Sequence, residues 1–109
     1  MKKLEEIRND NARLLNKMRK FQRNVIPVKK CMKNGKKHFD KQCELAWNCS
    51  KEGLEYVIEA EFENGKVADI FVLDLIGGLV YEVLSSEKEE DCIKKVEDYP
   101  VKRVIMVKV

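Results

Sequence analysis

Leu4, Ile7, Asn11, Leu14, Met18, Phe21 and Val25 recur at alternating intervals of three and four residues. This is a heptad seam, and it predicts an amphipathic helix of about three heptads. No Gly or Pro interrupts the seam before Pro27, which ends it. Arg8, Arg13, Lys17, Arg19, Lys20 and Arg23 lie between the seam positions and give the helix a cationic outer surface. Asn11 sits on the seam itself, as in two-stranded coils where a buried Asn pairs across the interface. The expectation is a homodimer; the alternative is a stripe packed on its own domain. The run from Val28 to Lys37 reads as a basic connector with a turn at Asn34-Gly35.

Beyond the connector the pattern changes. Residues 39–50 predict a helix with Asp40 as cap and Phe39, Cys43, Ala46 and Trp47 on one apolar face. Gly53 stops it. From Glu55 to Phe62 polar and apolar residues alternate, which predicts a strand with Tyr56, Ile58, Ala60 and Phe62 facing inward. Asn64-Gly65 predicts a hairpin turn. Val67–Asp74 is apolar on both faces and reads as a central strand. Gly77-Gly78 predicts a second turn, and residues 79–84 another buried strand. Ser85 or Ser86 caps a helix running to Asp98, with acids at its start and Lys94 and Lys95 further along. Residues 101–109 form a β-branched closing strand. The order is α-β-β-β-α-β, an α/β domain over 38–109 preceded by a basic helix and connector over 1–37.

Hydrophobic residues make up 44% of the chain, enough for a core, so a fully disordered chain is excluded. The net charge of +3 conceals a division. Residues 1–41 hold 14 Lys/Arg against 4 Asp/Glu, and residues 42–109 hold 8 against 15. The basic part suits phosphate neutralisation and the acidic part suits a carboxylate site, although either run also serves as a solvated face. The apolar stretch 70–83 is interrupted by Asp74 and Glu82 and is too short to span a bilayer. The charged N-terminus does not read as a signal peptide. Reduced cysteines and a cytoplasmic location are expected.

Two acids break the strand pattern. Asp69 lies in Val-Ala-Asp-Ile-Phe and Glu82 in Val-Tyr-Glu-Val-Leu, each flanked by apolar residues in adjacent strands. A carboxylate buried without a partner costs several kcal/mol, so such acids call for a cation or a metal. Glu44, on the preceding helix, is a third acid expected to reach the same point. Three oxygen ligands of this kind suit Mg²⁺ or Mn²⁺. The bland alternative is that each acid is exposed or paired with Lys or Arg.

The order α-β-β-β-α-β, with Glu44 on the helix, Asp69 in the second strand and Glu82 in the third, resembles the PD-(D/E)xK (restriction-endonuclease-like) nuclease superfamily, particularly small archaeal and viral nucleases and Holliday-junction resolvase relatives. The resemblance covers about residues 38–109. It implies a four-stranded mixed sheet and a divalent ion held by Glu44, Asp69 and Glu82, which activates water for phosphodiester cleavage. It also implies a Lys two residues after the Glu, where this chain has Leu84. Lys41 and Lys88 are the candidate replacements, and an ordinary surface role is the alternative for both.

His38 is the chain's single His, so a His-based triad is excluded. Cys31, His38, Cys43 and Cys49 lack zinc-knuckle spacing, and Cys43, Cys49 and Cys92 read as small buried residues. Trp47 reads as core. The functional expectation is a Mg²⁺-dependent DNA endonuclease. Arg13, Lys17, Lys20, Arg23, Lys29, Lys30, Lys36 and Lys37 would contact the nucleic acid. The alternatives are a catalytically silent nuclease-fold protein that binds nucleic acid, favoured by Leu84, and a small dimeric interaction protein.

Overall fold

The computed structural model describes residue 13 and residues 18–20, 23–74, 77–85 and 89–109. Strand β1 is Met18–Lys20, followed by helices α1 (Val28–Met32) and α2 (Lys36–Lys51). Strands β2 (Glu55–Phe62), β3 (Val67–Asp74) and β4 (Gly77–Leu84) come next, then helix α3 (Glu89–Val96) and strand β5 (Val104–Lys108). The sheet runs β1-β2-β3-β4-β5. Strands β2, β3 and β4 form an antiparallel meander, and β5 lies parallel to β4. A parallel neighbour requires a crossover, which the segment bearing α3 provides. The chain is therefore α/β with a mixed sheet, and residues 36–108 follow the expected element order.

Local chemistry explains the boundaries. Gly35 takes φ +93°, a left-handed conformation that side chains resist, and α2 starts directly after it. The helix thus begins at Lys36 and not at 39. Asp40 is not its cap; it lies one turn in and pairs with Lys36 at 2.8 Å. At the β2–β3 hairpin Gly65 takes φ +84°, and Asn64 Oδ1 accepts the N–H of Lys66. Gly77 and Gly78 are not a turn but the first residues of β4, opposite Asp74 and Leu73. Helix α3 carries Glu89, Glu90 and Asp91 in its first turn and Lys94 and Lys95 in its last, as the helix dipole favours.

Two apolar layers cover the sheet. On one face Tyr56, Ile58, Ile70, Val72 and Leu79 pack with Cys31, Ala46 and Cys49 from α1 and α2. On the other Val57, Phe62, Phe71, Leu73 and Val80 pack with Tyr99 and Val101, which follow α3. Fully burying one such aliphatic or aromatic side chain contributes about 1.5–3 kcal/mol. The alternation expected for β2 breaks midway: Tyr56 and Ile58 join the α2 layer, whereas Ala60 and Phe62 join the α3 layer. The switch falls at Glu59, whose φ of +53° turns the strand over. Strand β3 makes the same switch at Asp69, between Ala68 in one layer and Ile70 in the other.

Two further expectations need correction. The helix predicted across Leu4 to Val25 does not extend over Met18–Lys20, which is a strand paired with β2 through Met18↔Phe62 and Lys20↔Glu61. The free backbone edge of β2 outcompetes helical propensity there. The seam positions Leu4, Ile7, Asn11, Leu14 and Phe21 lie outside the described residues, and with them the dimer expectation. The buried positions of α2 are His38, Gln42, Ala46 and Cys49, a face rotated roughly a quarter-turn from the one predicted. Trp47 consequently points outward, 72% exposed.

Candidate functional site

The β3–β4 ladder runs from Asp74↔Gly77 to Ile70↔Tyr81. One step further, Asp69 and Glu82 occur in adjacent strands, and their side chains take over the backbone donors there. Val83 N–H donates to Asp69 Oδ2 at 2.7 Å, and Asp69 N–H donates to Glu82 Oε1 at 3.4 Å. Both residues are buried, at 7% and 1% exposure.

Each acid is served by a different face of the sheet. From α2, His38 Nε2 lies 3.2 Å from Asp69 Oδ1, and Gln42 Nε2 donates to the Asp69 carbonyl at 3.0 Å. From the opposite side Lys95 Nζ donates to Glu82 Oε2 at 3.3 Å and the Tyr99 hydroxyl to Glu82 Oε1 at 2.7 Å. The same hydroxyl lies 2.9 Å from the Val67 carbonyl. A polar path therefore crosses the sheet where its faces switch. Glu59, facing this region from β2, accepts from Asn34 Nδ2 at 2.8 Å.

The electrostatics divide the pair. Burial pushes the Asp69 carboxyl up, but the His38 contact and the Val83 N–H together outweigh it, and the net shift is downward. Glu82 is pushed up to about 7, first by burial and then by the negative charge of Asp69, against the pull of Lys95. The His38 contact with Asp69 raises the imidazole above its usual value despite burial. Glu59 is raised, chiefly by burial. One easily ionised and one reluctant carboxylate, side by side, are the arrangement found where acid and base chemistry is divided between two groups.

Glu44 does not join this pair. It lies roughly 240° round α2 from His38, at about 100° per residue, and is turned away from the sheet. It is exposed and bonds Lys41 at 2.7 Å, so Lys41 is committed there and not to Asp69 or Glu82. Leu84 is buried. Lys88 and Lys17 lie outside the described residues. Among the described residues no group of three or more His, Cys, Asp or Glu is arranged to hold a metal ion, and this covers the cysteines with His38. All four cysteines are free thiols. Arg13, Lys29, Lys30, Lys36 and Lys37 are exposed, Arg23 pairs with Glu55 at 3.1 Å, and Lys20 lies in β1. Sequence reasoning missed His38, Gln42, Lys95 and Tyr99. The i, i+4 spacing of His38 and Gln42 was the available signal for the first two, since it places them on one helix face.

Two clefts formed by described residues lie away from the pair. One, of about 190 Å³, is lined by Phe62, Glu63, Asn64, Asp98 and Pro100. The other, of about 290 Å³, lies beside Asn48, Glu52, Asp74 and Tyr81. No described helix is long and apolar enough to cross a membrane. Fold and site together define an α/β protein with a buried acid pair at a strand junction. Comparison with protein-family models, curated proteins and solved structures gave no match.

Proposed function

We propose that the chain is a divalent-metal-dependent nuclease of the PD-(D/E)xK (restriction-endonuclease-like) class, hydrolysing phosphodiester bonds in DNA. The observation that carries this reading is the meeting of Asp69 and Glu82 between two hydrophobic strands, in a sheet whose fourth core strand returns parallel after a helix. The donor set fits Mg²⁺ or Mn²⁺. Both ligands are hard carboxylate oxygens, and Mg²⁺ is commonly held by one or two carboxylates with waters and substrate phosphates completing its shell. Burial and the neighbouring charge of Asp69 hold the Glu82 carboxyl above its usual value. Asp69 and Glu82 would hold the ion, which supplies water activation and stabilisation of the charge developing on the phosphoryl group. Glu44 is not needed in this scheme.

Lys95 takes the part that Leu84 leaves vacant: it brings an ammonium to Glu82 from α3, on the edge of the pair. Its charge would offset that of an incoming phosphate oxygen. Tyr99 holds the Glu82 carboxylate and Gln42 the Asp69 carbonyl. Arg13, Lys17, Lys20, Arg23, Lys29, Lys30, Lys36 and Lys37 would grip the nucleic-acid backbone, and a homodimer would present two sites to two strands.

The test is incubation with linear, single-stranded and branched DNA in the presence of Mg²⁺ or Mn²⁺. Metal-dependent cleavage that Asp69→Ala abolishes is the expected result. Cleavage that persists in Asp69→Ala rejects the assignment. A second reading, a catalytically silent member of the same fold that binds nucleic acid as an adaptor or regulator, is favoured by Leu84 and by the ion-pair partner that each acid already has. Salt-sensitive binding without cleavage is its signature.

A further inference from the structure

Two buried polar atoms among the described residues lack a hydrogen-bond partner: His38 Nδ1 and Gln42 Oε1. Both belong to groups that touch Asp69, and both residues are more than nine-tenths buried. A core side chain retained for packing alone would satisfy both its polar ends or be apolar. Here each group spends one end on Asp69, and the two side chains also interact with each other.

The geometry explains why. His38 and Gln42 stand one turn apart on α2, so they reach the same strand residue from above. Gln42 holds the Asp69 carbonyl and His38 holds Oδ1, while Val83 N–H holds Oδ2. The hydrogen facing the Asp69 carboxylate sits on Nε2. The carboxylate is thereby pinned at both oxygens, one from the helix and one from the neighbouring strand.

We infer that His38 is the positioning residue of the site, fixing the Asp69 carboxylate in one orientation toward Glu82, with Gln42 fixing the backbone beneath it. Its importance for metal binding rests on the nuclease reading; the orientation itself does not. The helix thus contributes a histidine–glutamine clasp to the acid pair where a third acid was expected. Groups that orient a ligand from behind typically change metal affinity 10–100-fold when removed.

The experiment compares His38→Gln, His38→Asn and His38→Leu. The Gln amide nitrogen has the reach of imidazole Nε2, whereas the Asn amide falls short and Leu has no donor. Two readouts are taken on the full chain. The first needs no metal: the chemical shift and hydrogen exchange of the Val83 amide in ¹⁵N-labelled protein, since that N–H is bound to Asp69 Oδ2. Wild type and His38→Gln are expected to share a downfield, slowly exchanging Val83 amide. In His38→Asn and His38→Leu it moves upfield and exchanges about tenfold faster or more. The second is Mn²⁺ affinity by electron paramagnetic resonance, expected to fall about 10–100-fold in His38→Asn and His38→Leu and to be restored in His38→Gln.

An unaltered Val83 amide in His38→Leu and His38→Asn overturns the inference. So does a folded His38→Gln that behaves like His38→Leu, or the unfolding of all three variants, which would make His38 a packing residue. If the Val83 amide responds as expected while wild type neither binds Mn²⁺ nor cleaves DNA, the positioning stands and the nuclease reading falls.

Discussion

Asp69 and Glu82 are cross-linked through each other's strands: the Asp69 carboxylate takes the N–H next to Glu82, and the Glu82 carboxylate takes the N–H of Asp69 itself. The two acids therefore complete the ladder as well as forming the site. Truncating either leaves a buried N–H without an acceptor. Glu82→Ala is expected to lower stability by about 2–4 kcal/mol, from the cavity and the orphaned Asp69 N–H combined. Glu82→Gln keeps an acceptor for that N–H and for Tyr99 and removes the repulsion from Asp69. It should match or exceed wild-type stability at pH 8 while abolishing cleavage. Thermal unfolding followed by circular dichroism separates the two; a Glu82→Ala protein as stable as wild type would show that the acid plays no part in the sheet.

The raised Glu82 also fixes the direction of pH dependence. Its carboxyl titrates near 4.5 when unfolded and is pushed up to about 7 in the fold, so the folded state holds the proton more tightly. That contribution is complete below 4.5 and disappears as pH rises through about 7. It amounts to on the order of 3 kcal/mol at most. The protonated acid also resolves a conflict at Tyr99, whose single hydroxyl hydrogen cannot serve both Glu82 and the Val67 carbonyl. His38, raised from 6.5, acts in the same sense: its contribution is whole below 6.5 and is lost as pH climbs through its folded value. Asp69, lowered from 3.8, acts oppositely, and its contribution is lost only in stronger acid. The melting temperature is therefore expected to fall between pH 5 and pH 8 at constant ionic strength. A shallower profile in Glu82→Gln than in wild type, with the remaining slope due to His38, would assign the effect; equal slopes would remove Glu82 from the explanation.

Metal should reverse that trend. Binding at Asp69 and Glu82 requires both carboxylates ionised, so affinity rises as Glu82 loses its proton. Mn²⁺ at a hundred times its dissociation constant would add about 2.7 kcal/mol to stability. The expected outcome is a melting-temperature increase with Mn²⁺ at pH 8, a smaller one at pH 5, and none in Asp69→Asn. Equal increases in wild type and Asp69→Asn would place the ion elsewhere.

The element order and both strand acids were legible because they depend on short-range signals: period-two alternation, Asn-Gly turns, and a charge inside an apolar run. The helix face was not. Phe39 and Trp47 drew the predicted stripe toward themselves, yet α2 buries His38 and Gln42, two polar residues that an apolar count passes over. That rotation put Glu44 in the site and kept His38 out. Alternation alone makes Glu59 an ordinary outward position, since nothing in a single sequence marks a glutamate with positive φ. Lys95 was visible as a helix-dipole residue, but its approach to Glu82 depends on the crossover that sets α3 against β4, a long-range relation. Met18–Lys20 has helical patterning and becomes strand because β2 offers an edge.

The outward turn of Trp47 separates packing from surface roles on a single helix. A residue 72% exposed has little apolar area to lose, so Trp47→Ala should change stability by no more than about 0.5 kcal/mol. Phe71, fully buried and set edge-on to Phe62 with ring centroids 6.2 Å apart, should lose about 3–5 kcal/mol on substitution by Ala. Denaturant titration of the two variants checks both; a Trp47→Ala loss comparable to that of Phe71→Ala would mean the indole is covered in solution.

The basic corner formed by α1 and the start of α2 gives the last prediction. Lys29, Lys30, Lys33 and Lys37 are exposed there, close in sequence to His38. Lys36 and Lys41 are paired with Asp40 and Glu44 and contribute less free charge. Each lysine–phosphate interaction removed reduces the slope of log affinity against log salt by about 0.9 for duplex DNA. Replacing Lys29, Lys30, Lys33 and Lys37 by Ala should therefore flatten the slope by about 3–4 and weaken binding similarly for all sequences, with the melting temperature unchanged. Fluorescence anisotropy with labelled duplex between low and moderate salt measures this. An unchanged slope in the quadruple variant would move the nucleic-acid interface off this corner, and a slope near zero in wild type would exclude backbone recognition altogether.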